Sequence, residues 1–124
     1  MAPSKILVVD DEPEVRQVME QFLVERGYEV RTAENGRQGL AALDTFTPDV
    51  VLLDMHMPEM DGLETLQRLA ARAPSLPVIM VTVNDDVETT SRLLQLGAVD
   101  YLPKPFDLEY LDQAITIQLS ARRD

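Results

Sequence analysis

The chain has 124 residues, 45% hydrophobic and 27% charged, which suits one globular domain with a single sizeable core. Its 22 acidic residues against 11 lysines and arginines leave a net charge of −11, which argues against direct contact with nucleic acid or an anionic membrane. Cysteine is absent, which excludes disulfides and thiolate metal sites, and no apolar run nears the ~20 residues of a bilayer span. The N-terminus MAPSKILVVDD has no long apolar stretch backed by a cleavage site, so no secretory signal is expected.

Along the chain, five strand-like segments alternate with five helix-like ones. The first strand, about 5–10, is the continuous apolar run ILVV and ends in VVDDEP. Pro13 opens the first helix, Val15, Val18, Met19 and Phe22 form its inner stripe, and Gly27 stops it. The second strand, 28–33, mixes polar and apolar residues in YEVRTA, and Leu40, Leu43 and Phe46 mark the helix after it. The third strand, 49–54, carries VVLL and closes on Asp54. The loop MHMPEMDG follows, with Asp61 as N-cap of a helix on Leu63, Leu66, Leu69 and Ala70. The fourth strand, 77–83, carries VIMV and ends at Thr82, before a helix from about Asp86 to Gly97. The last strand, VDYL at 99–102, leads through LPKPF to a helix from Asp107 to about Ala121 on Leu108, Leu111, Ile115 and Leu119. There is no internal repeat. The polar end, from about 120 to 124, is the candidate start of a linker, so the whole of 1–124 reads as a single domain.

Strict βα alternation with short connections implies an α/β fold with a parallel sheet and right-handed crossovers. Continuous apolar runs suit strands covered on both faces, which makes the first, third and fourth strands central and the second and fifth the edges. The expected strand order is 2-1-3-4-5. Ligands bind where such a chain reverses direction, outside the carboxyl ends of the first and third strands. Asp10, Asp11 and Asp54 stand at those ends.

Like charges at the end of a core need a reason. At ~5 Å and an effective dielectric of about 20, two carboxylates repel by roughly 3 kcal/mol. A lone Asp at a strand end is usually a helix cap, but a doublet with a second Asp on the neighbouring strand is not explained that way. All-oxygen donors with three negative charges select a hard divalent cation, Mg²⁺ before Ca²⁺. Glu12, just before Pro13, reads as a helix cap or a solvated charge rather than a ligand. Thr82 and Lys104 bring a hydroxyl and an ammonium to the same sheet edge. A metal and an ammonium flanking a carboxylate can stabilise phosphoryl oxygens as they are transferred onto it.

VVDDEP, VVLLDMHMPEMDG with its Pro58 and Gly62, VIMVT and GAVDYLPKPF together resemble the receiver domain of bacterial two-component response regulators, over nearly the whole chain. The resemblance implies a flavodoxin-like three-layer sandwich, a five-stranded parallel sheet with five helices. By position, Asp54 would be the phosphoacceptor, receiving its group from a phosphohistidine on a sensor histidine kinase or phosphotransfer protein. Asp11, Asp54 and the backbone carbonyl of His56 would bind Mg²⁺ (or Mn²⁺), with Asp10 acting mainly through water. Thr82 and Lys104 would contact the phosphoryl group, Tyr101 would follow Thr82 as the switch aromatic, and the Lys104–Pro105 bond would be cis. The surface of the fourth helix, fifth strand and fifth helix would change shape and regulate an output domain or a homodimer. Such a domain is expected to be cytoplasmic, to touch neither membrane nor nucleic acid itself, and to have no separate turnover substrate.

His56, the only histidine, reads as lining the mouth of the site rather than as a phosphohistidine, because it sits in the acceptor's own loop. Val83 and Asn84 are expected to flank the same pocket, and Val83 departs from the small residue usual after the switch threonine in the family it resembles. Slower loss of phosphate is expected from it. On the last helix, Tyr110, Ala114, Ile117 and Ala121 form a second apolar line, a candidate interface. The stretch DYLPKPFDLEYL resembles receivers that control enhancer-dependent transcription activators. Two other classes fit less well. An aspartyl-phosphate phosphatase usually has Asp where this chain has His56, and a flavodoxin needs a phosphate loop that Asp10-Asp11-Glu12 would repel. A receiver-like module that is never phosphorylated would have no use for the full set of Asp10, Asp11, Asp54, Thr82 and Lys104.

Overall fold

The apolar runs become the inner strands of one parallel sheet. The computed structural model describes residues 2–57, 60–83 and 86–123, with backbone alone at 122 and 123. Its strands are β1 (Lys5–Val9), β2 (Glu29–Ala33), β3 (Val50–Asp54), β4 (Val78–Thr82) and β5 (Asp100–Pro103), in the order β2-β1-β3-β4-β5. Every pairing is parallel. β3 and β4 are buried along their whole length, whereas β2 and β5 are only partly buried, as expected for edges.

Successive strand side chains point to opposite faces, which divides the core in two. Leu7, Val9, Val51, Leu53, Val78 and Met80 meet Leu66, Leu69 and Leu93 on one face. Ile6, Val8, Val50, Leu52, Ile79 and Val81 meet Met19, Leu23, Leu111 and Ile115 on the other. Helices α1 (Pro13–Glu25) and α5 (Leu108–Arg123) therefore cover the second face. Helices α2 (Gly36–Ala42), α3 (Gly62–Arg72) and α4 (Val87–Gln95) cover the first.

Local chemistry sets the helix ends. Asn35, Asp61 and Asp86 accept the backbone N–H three residues on, at 2.8, 2.9 and 3.0 Å, and cap α2, α3 and α4. Gly27 and Gly97, with φ of 94° and 116°, take the left-handed conformation that ends α1 and α4.

Three sequence expectations are corrected. Val18 is exposed, and Leu23, four residues beyond Met19, fills the inner stripe of α1 instead. Helix α2 stops at Ala42. Phe46 is buried, but it belongs to the following turn, where its N–H reaches the Ala42 carbonyl at 2.9 Å. Arg31 lies over its ring at 4.7 Å. Ala114 is only 4% exposed, because its place three residues after Leu111 turns it into the core; the exposed line on α5 is Tyr110, Ile117 and Ala121.

Candidate functional site

Sheet register builds the site. Val9 pairs with Leu53, so the next residues on β1 and β3, Asp10 and Asp54, come level. The ladder runs on past the strands: Asp10 N–H donates to Ala33 at 3.1 Å, Met55 N–H to Val81 at 3.0 Å, and Lys104 N–H to Thr82 at 2.8 Å. Asp10, Asp54, Thr82 and Lys104 thus sit on backbone that the sheet fixes. The Lys104–Pro105 peptide is cis.

Asp10 and Asp54 are 1% and 3% exposed, which is unusual for carboxylates and calls for partners. The Lys104 ammonium supplies one. Its Nζ lies 3.5 Å from Asp10 Oδ2, 3.2 Å from Glu12 Oε1 and 3.3 Å from Asp54 Oδ1. Glu12 donates its N–H to Asp10 Oδ1 at 2.9 Å, and His56 donates its N–H to Asp54 Oδ1 at 3.4 Å. One ammonium does not balance these acids. Burial and the neighbouring Asp10 charge push Asp54 up to about 6, although Lys104 pulls it the other way. Burial likewise raises Asp10. Burial disfavours the Lys104 charge, but Asp10 and Asp54 outweigh it and lift that pKa above the ordinary lysine value.

Ligand oxygens of Asp10, Asp11, Glu12 and Asp54 all lie within 4.8 Å of one another. Four converging carboxylates against one lysine leave excess negative charge, and oxygen-only donors suit a hard divalent cation. The donor set fits such an ion. Glu12 occupies the N-cap position of α1, but its side chain makes no capping bond and turns toward Lys104.

The remaining candidates fall in different places. Thr82 is fully buried, and its hydroxyl donates to the Met55 thioether at 3.3 Å. Tyr101 is half-buried, packed on the α2–α3–α4 face of the core. The His56 side chain is exposed, and Val83 is 59% exposed rather than folded into the crevice. Asn84 and Pro58 lie outside the described residues. Gly62 holds the loop after Asp54: its N–H donates to the Met55 carbonyl at 2.8 Å, and a Cβ there would sit 2.5 Å from Met55 Cα. Sequence reasoning missed two supports. Arg16, one turn into α1, donates from its guanidinium to the Asp10 carbonyl at 2.7 Å and lies 3.8 Å from Glu34. A basic residue one turn after an acidic run was the available signal. Met55 gave none, because a methionine beside a core strand reads as core.

A family model described as "Response regulator receiver domain" matches residues 6–116. Among curated relatives, the DNA-binding transcriptional regulator NtrC of Salmonella typhimurium is 46% identical over 112 residues, which cover 90% of this chain and 23% of that protein. The regulatory protein AtoC of Escherichia coli is 42% identical over 111 residues, 90% of this chain and 24% of AtoC. The chain therefore spans about a quarter of the length of these relatives. Among solved structures, a CheY-like receiver domain protein of Methanospirillum hungatei superposes with a TM-score of 0.92 at 30% identity, covering 98% of this chain and 97% of the other. The receiver domain of NtrX from Brucella abortus gives 0.87 at 34% identity, covering 93% and 98%.

Proposed function

The chain belongs to the response regulator receiver-domain family, and from that premise we propose that it is a phosphorylation-activated switch whose phosphoacceptor is Asp54. One observation carries the reading: a buried carboxylate closes a central strand, with an ammonium 3.3 Å away and further acids converging on it. The Asp54 oxygen would attack phosphorus of a phosphohistidine on a sensor histidine kinase or phosphotransfer protein. The P–N bond breaks as the O–P bond of an acyl phosphate forms, and the imidazole leaves with a proton taken from solvent.

Asp10, Asp11, Asp54 and the His56 carbonyl would hold Mg²⁺, or Mn²⁺ in its place. The bound ion supplies charge neutralisation at the acceptor and at the phosphoryl oxygens. Lys104 would exchange its carboxylate partners for a phosphoryl oxygen, keeping its charge at the same point. The Thr82 hydroxyl would turn to another phosphoryl oxygen, and Tyr101 would move with it. The added charge, about −1.5 to −2, biases a two-state equilibrium already present in the fold. The readout surface is α4, β5 and α5, where Tyr110 and Ile117 stand exposed. On it the domain would regulate an output domain or pair with a second copy, in the cytoplasm, with no substrate turned over besides its own phosphoryl group. Relatives that name DNA-binding regulators support an output domain of that kind.

The test is phosphorylation with acetyl phosphate and Mg²⁺ followed by intact mass. A gain of one phosphoryl group, absent in Asp54→Ala, is expected. Unchanged mass, or an equal gain in Asp54→Ala, would remove the reading.

A further inference from the structure

Resting on the switch reading above, we propose that Met55 is a positioning residue that helps hold Thr82 in the resting state, its thioether being an acceptor that the hydroxyl leaves on activation. Met55 is itself held on both sides. Its N–H donates to Val81 at 3.0 Å, and its carbonyl accepts from Gly62 at 2.8 Å. Its side chain lies against Thr82 and the α2–α3–α4 face of the core. The Thr82 hydroxyl donates to its sulfur at 3.3 Å, inside a fully buried strand end.

The choice of atom matters. A thioether is a weak acceptor, whereas a charged phosphoryl oxygen is a strong one. A donor resting on sulfur is satisfied while the site is empty of phosphate, yet gives way when the better acceptor arrives. A carbonyl or carboxylate in the same place would compete far harder. Because Met55 follows the phosphoacceptor directly in the chain, the latch and the modified residue share one segment, hydrogen-bonded to Val81 and Gly62.

The test is titration with beryllium trifluoride, a mimic of a bound phosphoryl group, in Mg²⁺ and followed by the Thr82 and Tyr101 amide resonances. Met55→Leu keeps the volume and removes the acceptor. It is expected to tighten the apparent affinity by about two- to tenfold, the range of one modest hydrogen bond. Met55→Ile serves as a second variant and should act in the same direction. In a Thr82→Val background, which lacks the donor, Met55→Leu should change nothing, since the coupling runs through the hydroxyl. Equal tightening in both backgrounds, or none with Thr82 present, would overturn the latch while leaving the phosphoacceptor reading intact. Failure of the unaltered chain to bind the mimic at all would overturn both.

Discussion

The interior of the sheet and the carboxyl ends of its strands are built from the same segments but do opposite work. Within β1, β3 and β4, apolar side chains fill both faces and every ladder position is paired, so burial there stabilises the fold. At the carboxyl ends of β1 and β3, Asp10 and Asp54 are buried as well, and burial works against them, lifting Asp54 to about 6. The contrast shows that stability is given up locally at the strand ends. An added cation or phosphoryl group then has a large electrostatic imbalance to act on.

Substitutions can break this contrast from either side. The largest effect belongs to the interior: Leu52→Ala should lower unfolding free energy by about 2–5 kcal/mol in denaturant titration, whatever the Mg²⁺ concentration. Arg16 sharpens the contrast, as a stabilising group within the destabilised end. Arg16→Met deletes the charge-assisted bond to the Asp10 carbonyl and should cost about 1.5–3 kcal/mol in the same titration. Asp54→Asn should instead stabilise the metal-free protein.

The sign follows from the direction of the shift. A carboxyl raised from 3.8 to about 6 is neutral in both states well below pH 3.8, ionises first in the unfolded chain as pH climbs, and imposes its full cost above about 6. With chelator present, the Asn variant should match the parent at about pH 3 and below. It should gain about 1–2 kcal/mol near pH 7, each pK unit being worth about 1.4 kcal/mol before screening by solvent is allowed for. An advantage that is the same at pH 4 and pH 7 would show that charge is not the cause. The smallest effect is kinetic. Val83 stands at the rim, largely exposed, so Val83→Ala should speed loss of phosphate by only about two- to threefold, measured by the decay of the phosphorylated mass.

Much of the fold was legible because ILVV, VVLL and VIMV are too uniformly apolar for anything but covered strands, and strict alternation with helices leaves few topologies. The meeting of Asp10, Asp11 and Asp54 followed from that topology, since register alone brings β1 and β3 level. What periodicity does not give is the width of a helix stripe. Val18 and Ala114 carry the right spacing for their assigned faces, but neighbouring helices decide which flank is covered. Phe46 was read into α2 because a buried aromatic four residues past Ala42 fits a helix as well as a turn. Contacts between side chains far apart in sequence were also hidden. The reach of Lys104 to Glu12 depends on a loop path that no local pattern encodes, and the seat of Thr82 on Met55 depends on the β3–β4 register.

Burial lifts the pKa of the strand-end acids Asp10 and Asp54, and a cation would neutralise the charge they gather there. Neutralisation by a cation is tested most directly by calorimetric titration with Mg²⁺ in buffers of different ionisation enthalpy, at pH 6 and again at pH 8. Because burial pushes Asp54 up to about 6 and a metal-bound carboxylate must be ionised, binding should release a substantial fraction of a proton at pH 6 and almost none at pH 8. The release at pH 6 should be lost in Asp54→Asn. Binding with no proton release at pH 6, or no binding at either pH, would show that these acids do not form a cation site.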